Sequence, residues 1–229
     1  IDLDAARQGV REISGLGGGR LAIGGAGLPG TYLLPKALSM FKALYPRLEI
    51  FMKFGNSSEI EPLLKDDVVE LAMFSRKPKV AGLVYEQFAS SRMVAAAPAG
   101  HPLARKNKVS LKEVVQEPLV LREPESAGGE LVRSYLARKK LPVNVAMELS
   151  SHEAIRVAVA EGFGVTVIAR RWLENEIALK RIAVLNVPSL KLAIHHGIVH
   201  RHSRVMSHAA KTFLEFLRDR RGDLSKLVV

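Results

Sequence analysis

Hydroxyl side chains at the predicted starts of helices are the residues of this sequence best suited to bind a ligand. Five serines precede or open segments with helical spacing of apolar residues: Ser57, Ser58, Ser126, Ser150 and Ser151. A serine there ordinarily caps the helix, which contributes about 1 kcal/mol. Helix N-termini also attract anions, because their first N–H groups have no partner within the helix and the helix dipole is positive there. Several such ends around one cleft would bind a carboxylate, a phosphate or a sulfur oxyanion.

A glycine-rich segment, Gly25-Ala26-Gly27-Leu28-Pro29-Gly30, matches G-x-G-x-x-G between a predicted strand and a predicted helix. In a dinucleotide-binding fold the helix begins within this motif, and an acidic residue ends the next strand. Here Pro29 and Pro35 interrupt the first turns, and Glu49 comes near the start of its strand. The motif therefore does not predict NAD binding, and we expect no cofactor.

Four histidines crowd one predicted strand near the C-terminus: His195, His196, His200 and His202. The last three would share one face, where imidazoles can bind zinc. No carboxylate pattern accompanies them, so a polar, half-exposed strand face is the favoured interpretation. The sequence has no cysteine, nucleophile elbow, Walker loop or H-E-x-x-H motif, so neither a metal site nor catalysis is expected.

The charge balance favours anionic partners. The 229 residues include 34 Lys plus Arg against 23 Asp plus Glu, a formal net charge of +11. The basic residues form separate clusters at 105–108, 138–140 and 218–221 rather than the single stripe of a DNA-recognition helix. Apolar residues make up 48 %, enough for a core, yet no stretch of 18 uncharged apolar residues occurs. With no visible secretory signal, these features predict a cytoplasmic globular protein without a membrane span.

The elements that must position these residues alternate between strand and helix. Apolar residues at 3, 6, 10 and 13 predict the end of a heptad-patterned helix, followed by a glycine joint up to residue 19. A first series then predicts strands at 21–23, 48–54, 71–74, 84–88 and 93–97, with helices over 34–45 and from a capping box at Ser58.

After a break at 98–102 a second series follows. It predicts a helix from a capping box at Ser110, strands at 118–121, 143–149 and 165–169, and helices at 131–136 and 151–160. A long strand at 192–199 and a helix with a one-sided apolar stripe over 206–217 complete the chain. Two α/β series with largely parallel sheets predict two lobes with a ligand cleft.

Several segments in this order resemble the effector-binding domain of LysR-type transcriptional regulators. They are "GRLAIGG", "YLLPKALSMFKALYP", "FGNSSEI", "APAGHPLA", "LVLREPESAGG", "MELSSHEAIRVAVAEGFGVTVIARRWL" and "HHGIVHRHSRVMSHAAKTFLEFL". The resemblance covers nearly the whole chain. It implies a type 2 periplasmic-binding-protein-like α/β fold of two Rossmann-like lobes joined by two crossover strands. The implied division is a linker end over 1–19, lobe I over 20–97 plus 193–229, and lobe II over 98–192.

The same resemblance implies that a small effector, an organic or inorganic acid, binds between the lobes. The implied effector-binding residues are Ala26, Gly27, Leu28, Gly30, Thr31, Asn56, Ser57, Ser58, Ser126, Gly128, Ser150, Ser151, His152 and Glu153. Further implied partners are a second copy, in a dimer or tetramer, and DNA, bound through an N-terminal winged helix-turn-helix that is not in this chain. We expect the copies to pair through lobe I, at the helices over 34–45 and from Ser58.

The chain departs from the family pattern in its ligand loops. A pair of hydroxyl residues often found in the first loop is replaced by Gly27 and Leu28, and the "REPGSGTR" form becomes "REPESAGG", without its Thr and Arg. Backbone N–H groups would therefore have to bind the anion. Two alternatives remain at this point: a solute-binding protein of a transport system, which shares the fold, and an enzyme that uses the same cleft.

Overall fold

The chain forms two compact units. A computed structural model describes residues 19–202 and 205–229, so the predicted heptad helix lies outside the described residues. Among the described residues, unit 1 contains 19–89, 195–202 and 205–228, and unit 2 contains Ser90–Ile194 with Val229. Among the described residues, no helix has the length and apolar character needed to cross a bilayer.

Unit 1 is built around a sheet in which short parallel strands are followed by helices. Its strands are β1 (Gly19–Ala26), β2 (Leu48–Gly55), β3 (Leu71–Phe74), the first part of β4 (Leu83–Pro98) and most of β9 (Ala193–Arg201). Its helices are α1 (Leu34–Leu44), α2 (Ser57–Lys65), α7 (His208–Asp219) and α8 (Arg221–Leu224). Strand β1 pairs in parallel with β2 and β3, and β9 pairs antiparallel with β3. The carboxyl ends of the parallel strands therefore share one sheet edge, where α1 and α2 begin.

The apolar stripe of α7 packs where the sequence pattern places it. Phe213 is fully buried, and its ring meets that of Phe41 on α1 edge-on, with the centroids 4.9 Å apart. A second cluster in unit 1 contains Ile60, Leu64 and Phe74. Burying an aliphatic or aromatic side chain contributes about 1.5–3 kcal/mol, so these contacts hold the helices on the sheet.

The start of the first helix differs from the prediction. After a left-handed residue at Gly27, helical backbone begins at Leu28 and passes through Pro29 as a π-helical turn, Pro29–Leu33, before α1. Proline is tolerated there because the first N–H groups of a helix need no intrahelical acceptor. Gly25 and Gly30 explain the glycine-rich motif, since a Cβ on Gly30 would lie 2.7 Å from the carbonyl carbon of Gly25. The motif serves close packing of helix on strand.

Unit 2 has the second α/β series. Its strands are the remainder of β4, β5 (Leu119–Arg122), β6 (Val145–Leu149), β7 (Thr166–Ala169) and β8 (Ile182–Val184). Its helices are α3 (Leu111–Gln116), α4 (Ala127–Arg138), α5 (His152–Ala160) and α6 (Glu174–Ala178). Strands β5 and β6 are parallel, and a bridge between Leu119 and Val165 leads from β5 towards β7. Strand β4 pairs antiparallel with β7 and β8.

The prediction of separate strands at 84–88 and 93–97 was wrong. One strand, β4, runs through Leu83–Pro98 without a break. The linking residues Ala89-Ser90-Ser91-Arg92 contain no glycine or proline that would turn the chain, so the extended backbone continues. The unit 2 part packs Val94 and Ala96 against Val120 and Ile155 in that unit's core.

Candidate functional site

The first predicted ligand segment lies where β1 passes into helix. Gly27 has φ +59°, a left-handed conformation that favours glycine, and a Cβ added there would lie 3.2 Å from the Ser75 Oγ. Thr31 Oγ1 donates a hydrogen bond to the Gly27 carbonyl at 3.0 Å. Ala26 and Leu28 are each 2 % exposed. This segment therefore offers backbone N–H groups of a helix start, while its side chains face inward or bond locally.

The second segment opens α2, and its cap is Asn56 rather than Ser58. Asn56 Oδ1 accepts from the Glu59 N–H at 3.0 Å, and the Glu59 carboxylate accepts from the Asn56 N–H at 3.1 Å, which completes a capping box. The capping box predicted from Ser58 was wrong because the cap lies two residues earlier, at Asn56, and the helix begins at Ser57. Ser57 is buried and Ser58 is exposed. Asn56 Nδ2 also donates to Glu59, so this amide is engaged within the helix start.

A buried ion pair stands beside this helix start, and sequence patterns did not reveal it. Arg76 Nη2 lies 2.7 Å from Glu61 Oε1, and both side chains are largely buried. Arg76 also donates to Ser58 Oγ at 3.5 Å. The only sequence signal was the position of Arg76 just after the buried strand β3. Because Glu61 balances its charge, Arg76 orients the helix start without adding net positive charge.

Ser75 and His196 form a second contact that the sequence did not predict. Ser75 Oγ and His196 Nδ1 are 2.9 Å apart, although 121 positions separate them in the chain. His196 is completely buried. Burial, with a smaller contribution from His195, lowers the pKa of His196 to about 4. The imidazole is therefore neutral at physiological pH and serves as a hydrogen-bonding group beside Gly27.

In unit 2, Ser126 caps α4 as predicted. Its hydroxyl accepts from the Gly129 N–H at 3.0 Å and donates to the Glu123 carbonyl at 2.8 Å. The hydroxyl proton is thus used within the loop rather than offered to a ligand. A Cβ on Gly128 would meet no described atom within 4 Å, so there is space beside this helix start.

The predicted segment Ser150–Glu153 opens α5. Ser151 is the cap, because its Oγ accepts from the Ala154 N–H at 3.3 Å, and Ser150 lies one residue outside the helix. Ser150, Ser151 and Glu153 are exposed. Among the hydrogen bonds of the described residues, the Ser151 hydroxyl proton has no acceptor. This helix end therefore presents one hydroxyl donor together with the N–H groups of its first turn.

His152, the first residue of α5, is held on two sides. Arg122 Nη1 donates to His152 Nδ1 at 2.7 Å, and the ring stacks on Trp172 with centroids 3.9 Å apart. Burial first, then the charges of Arg122 and Arg156, keeps the pKa of His152 well below its ordinary value. The neutral ring accepts a hydrogen bond from the guanidinium group, while the Arg122 Nε donates to Glu123 at 2.9 Å. His152 thus joins the end of β5 to α5 and is a positioning residue.

The histidine-rich strand forms no metal centre within the described part of the chain. No group of three or more His, Asp or Glu side chains there has a metal-binding arrangement. His196 is buried against Ser75, whereas His202 is exposed. The predicted half-exposed strand face was therefore wrong at His196, which is fully buried, and His202 lies beyond the end of β9.

Comparison with known proteins agrees with this architecture. The profile of the LysR substrate binding domain matches residues 14–222. The chain is 31 % identical over 215 residues to the HTH-type transcriptional activator CmpR of Synechocystis sp., covering 94 % of this chain and 70 % of that protein. It is 30 % identical to the HTH-type transcriptional regulator CbbR of Rhizobium meliloti, with 94 % and 69 % covered.

Solved structures of regulatory domains also resemble the fold of this chain. The Synechocystis PCC6803 CcmR regulatory domain in complex with 2-PG superposes with a TM-score of 0.81 at 26 % identity, covering 89 % of this chain and 98 % of that one. The effector-binding domain of QuiR in complex with shikimate has a TM-score of 0.81 at 18 % identity, with 90 % and 99 % covered, and shares the fold. The comparisons do not favour a transport protein, and the family is one of transcriptional regulators. The chain therefore belongs to the LysR substrate-binding domain family and is the effector-binding domain of a LysR-type regulator.

Proposed function

We propose that this domain senses a small organic anion, a carboxylic acid or a phosphate ester of one, and that the helix starts at the predicted segments supply its binding groups in each unit. The observation that carries the proposal is the open N-terminus of α5, where the Ser151 hydroxyl and the first-turn N–H groups are available. Such an end attracts negative charge through both its unpaired donors and the helix dipole. The names of two structural relatives, with 2-PG and with shikimate, identify acids as ligands of those proteins.

Backbone donors carry most of this binding in our proposal. Thr31 and Ser126 each donate their hydroxyl proton to a neighbouring carbonyl group. The Asn56 amide is engaged with Glu59. The guanidinium groups of Arg76 and Arg122 are paired with Glu61 and Glu123, respectively. The remaining donors include the N–H groups of helix starts and the Ser151 hydroxyl, as expected because this chain lacks the hydroxyl and Arg side chains common in the family's loops.

The proposed action is regulatory rather than catalytic. The serine and histidine that do lie together, Ser75 and His196, include a fully buried imidazole that is neutral and bonded to the serine. A ligand that binds one conformation of the regulator better than another shifts the population towards it. The regulator would act in the cytoplasm, where its DNA is, as a homo-oligomer whose N-terminal domain binds that DNA.

Calorimetric titration of the domain tests the site. The first ligand is 2-phosphoglycolate, followed by a panel of carboxylates and phosphorylated acids. With the acid that binds, Ser151→Ala should weaken affinity by roughly 5- to 30-fold, because a hydrogen bond to a charged group contributes about 1–2 kcal/mol.

Ser110→Ala is the matched control. Ser110 caps α3 in the same unit, where its hydroxyl accepts from the Glu113 N–H at 3.2 Å and donates to the Glu113 carboxylate at 2.7 Å, and it lies outside the proposed site. Both variants should lose about 1 kcal/mol of stability as lost caps. Only Ser151→Ala should lose affinity. If both variants bind the acid as tightly as the wild type does, Ser151 is only a helix cap and does not contact the ligand.

A further inference from the structure

A separate pocket lies wholly within unit 2 and shares no residue with the proposed effector-binding set. Its volume is about 430 Å³, within the range of small-molecule sites. Its lining residues are Arg92, Met93, Val94, Ala95, Arg170, Val184, Leu185, Asn186, Val187 and Leu190. The lining contains two cations and one amide but no acidic side chain.

The pocket forms where the chain leaves the edge of β4. The Leu185 N–H donates to the Ala95 carbonyl at 2.9 Å, and the Met93 N–H donates to the Leu192 carbonyl at 3.0 Å. Between these two hydrogen bonds, the segment 186–191 is bonded to parts of unit 2 other than β4. The Asn186 carbonyl accepts from the Val109 N–H at 2.9 Å, and the Ser189 carbonyl accepts from the Tyr135 hydroxyl at 2.8 Å. The wall of the pocket is therefore anchored at both ends and is already formed.

Two guanidinium groups stand at its mouth. Met93 on β4 pairs with Ala169, the last residue of β7, so Arg92 on β4 and Arg170, the first residue after β7, come at the same end of this strand pair, and both line the pocket. Both arginines are exposed, and among the described residues neither takes part in an ion pair. Two like charges at one pocket repel each other. An anion between them would relieve that repulsion and accept hydrogen bonds from both.

The floor of the pocket is apolar. Met93 is 2 % exposed, and Leu185, Val187 and Leu190 are each 5 % exposed. A ligand suited to this lining carries one anionic head for the guanidinium groups and a hydrocarbon body for the floor. Arginine recognises a carboxylate through two parallel hydrogen bonds.

We propose that this pocket is an accessory binding site for a small aliphatic or aromatic monocarboxylate, held by Arg92 and Arg170. Hexanoate is the probe, titrated into the full chain labelled with ¹³C at the methionine methyl groups. Met93 is the methionine in the lining, so its methyl resonance, assigned with Met93→Leu, should shift and saturate. The other methionine methyl resonances report on the fold and should stay in place.

Charge-neutral variants identify the groups that bind. Arg92→Gln and Arg170→Gln should each raise the dissociation constant about ten-fold, as expected for the loss of one charge-assisted contact. Arg138→Gln removes the same charge from the exposed end of α4, outside the pocket, and should leave the constant unchanged. Equal dissociation constants in wild type, Arg92→Gln and Arg170→Gln would overturn the proposal.

Two further probes distinguish the ligand class. 1-Hexanol has a similar tail without the charge, and inorganic phosphate has charge without the tail. Both should shift the Met93 resonance much more weakly than hexanoate. Hexanol that binds as tightly as hexanoate would show an apolar pocket without anion recognition, and phosphate that does so would show an anion site without use of the floor. Either result would overturn the assignment. The absence of any Met93 shift up to about 50 mM hexanoate would also overturn it, because even weak millimolar binding would be detected at that concentration.

Discussion

Acid should destabilise this domain through His196, and His196→Asn should remove that part of the effect. The pKa of the buried imidazole is lowered from 6.5 to about 4. Between those two pH values the unfolded chain binds a proton that the folded chain does not. The free energy of unfolding therefore falls as pH falls through this window, and the stabilisation is fully present above pH 6.5. Asparagine preserves a hydrogen-bonding group near the position of Nδ1, which faces Ser75 Oγ at 2.9 Å, and it cannot be protonated.

The size of the effect follows from the two pKa values. With 6.5 in the unfolded chain and about 4 in the folded protein, the loss between pH 8 and pH 5 is about 2 kcal/mol. His152 acts in the same direction, because its pKa is also lowered, and it remains in the His196→Asn variant. The variant should therefore keep a pH dependence that is smaller than that of the wild type by about this amount.

Urea unfolding followed by circular dichroism at pH 8, 7, 6 and 5 measures the difference. The substitution also leaves a small cavity, but that cost is the same at each pH and cancels from the slope. His202→Asn, at an exposed position just beyond the end of β9, is the control for replacing a histidine outside the core. Parallel pH profiles for the wild type and His196→Asn would refute a buried neutral imidazole at this position.

Two further predictions concern packing and assembly. Gly129→Ala should lower the free energy of unfolding by about 1–3 kcal/mol in urea titrations, because its Cβ would lie 2.0 Å from the Glu123 carbonyl oxygen. Gly128→Ala is the control and should cost little, because a Cβ there would meet no described atom within 4 Å. Equal losses of stability in the two variants would contradict the close packing at Gly129. The expectation that α1 and α2 form the contact between copies remains a prediction: sedimentation velocity at about 50 µM should show a dimer or a larger species, and a monomer alone would count against it.

Local patterns in the sequence predicted much of the fold and part of the candidate site. Ser110, Ser126 and Ser151 cap the helices that follow them. A cap can be predicted from sequence because the capping side chain and the N–H group that it accepts from are only three residues apart. The apolar stripe of α7 predicted its buried face for the same reason, since period 3.6 places those residues on one side. The order of such segments also sufficed for the family resemblance, which the comparisons confirmed.

Only the tertiary structure decided which groups meet across the chain. Ser75 and His196 are 121 positions apart, and Arg92 and Arg170 come together through the pairing of β4 with β7. No local pattern encodes such contacts, because strand pairing and register bring them about. The structure also showed that Thr31 and Ser126, chosen as ligand donors by position, give their protons to nearby carbonyl groups. The sequence determines which donors exist at the helix starts, and the folded backbone decides which of them remain available.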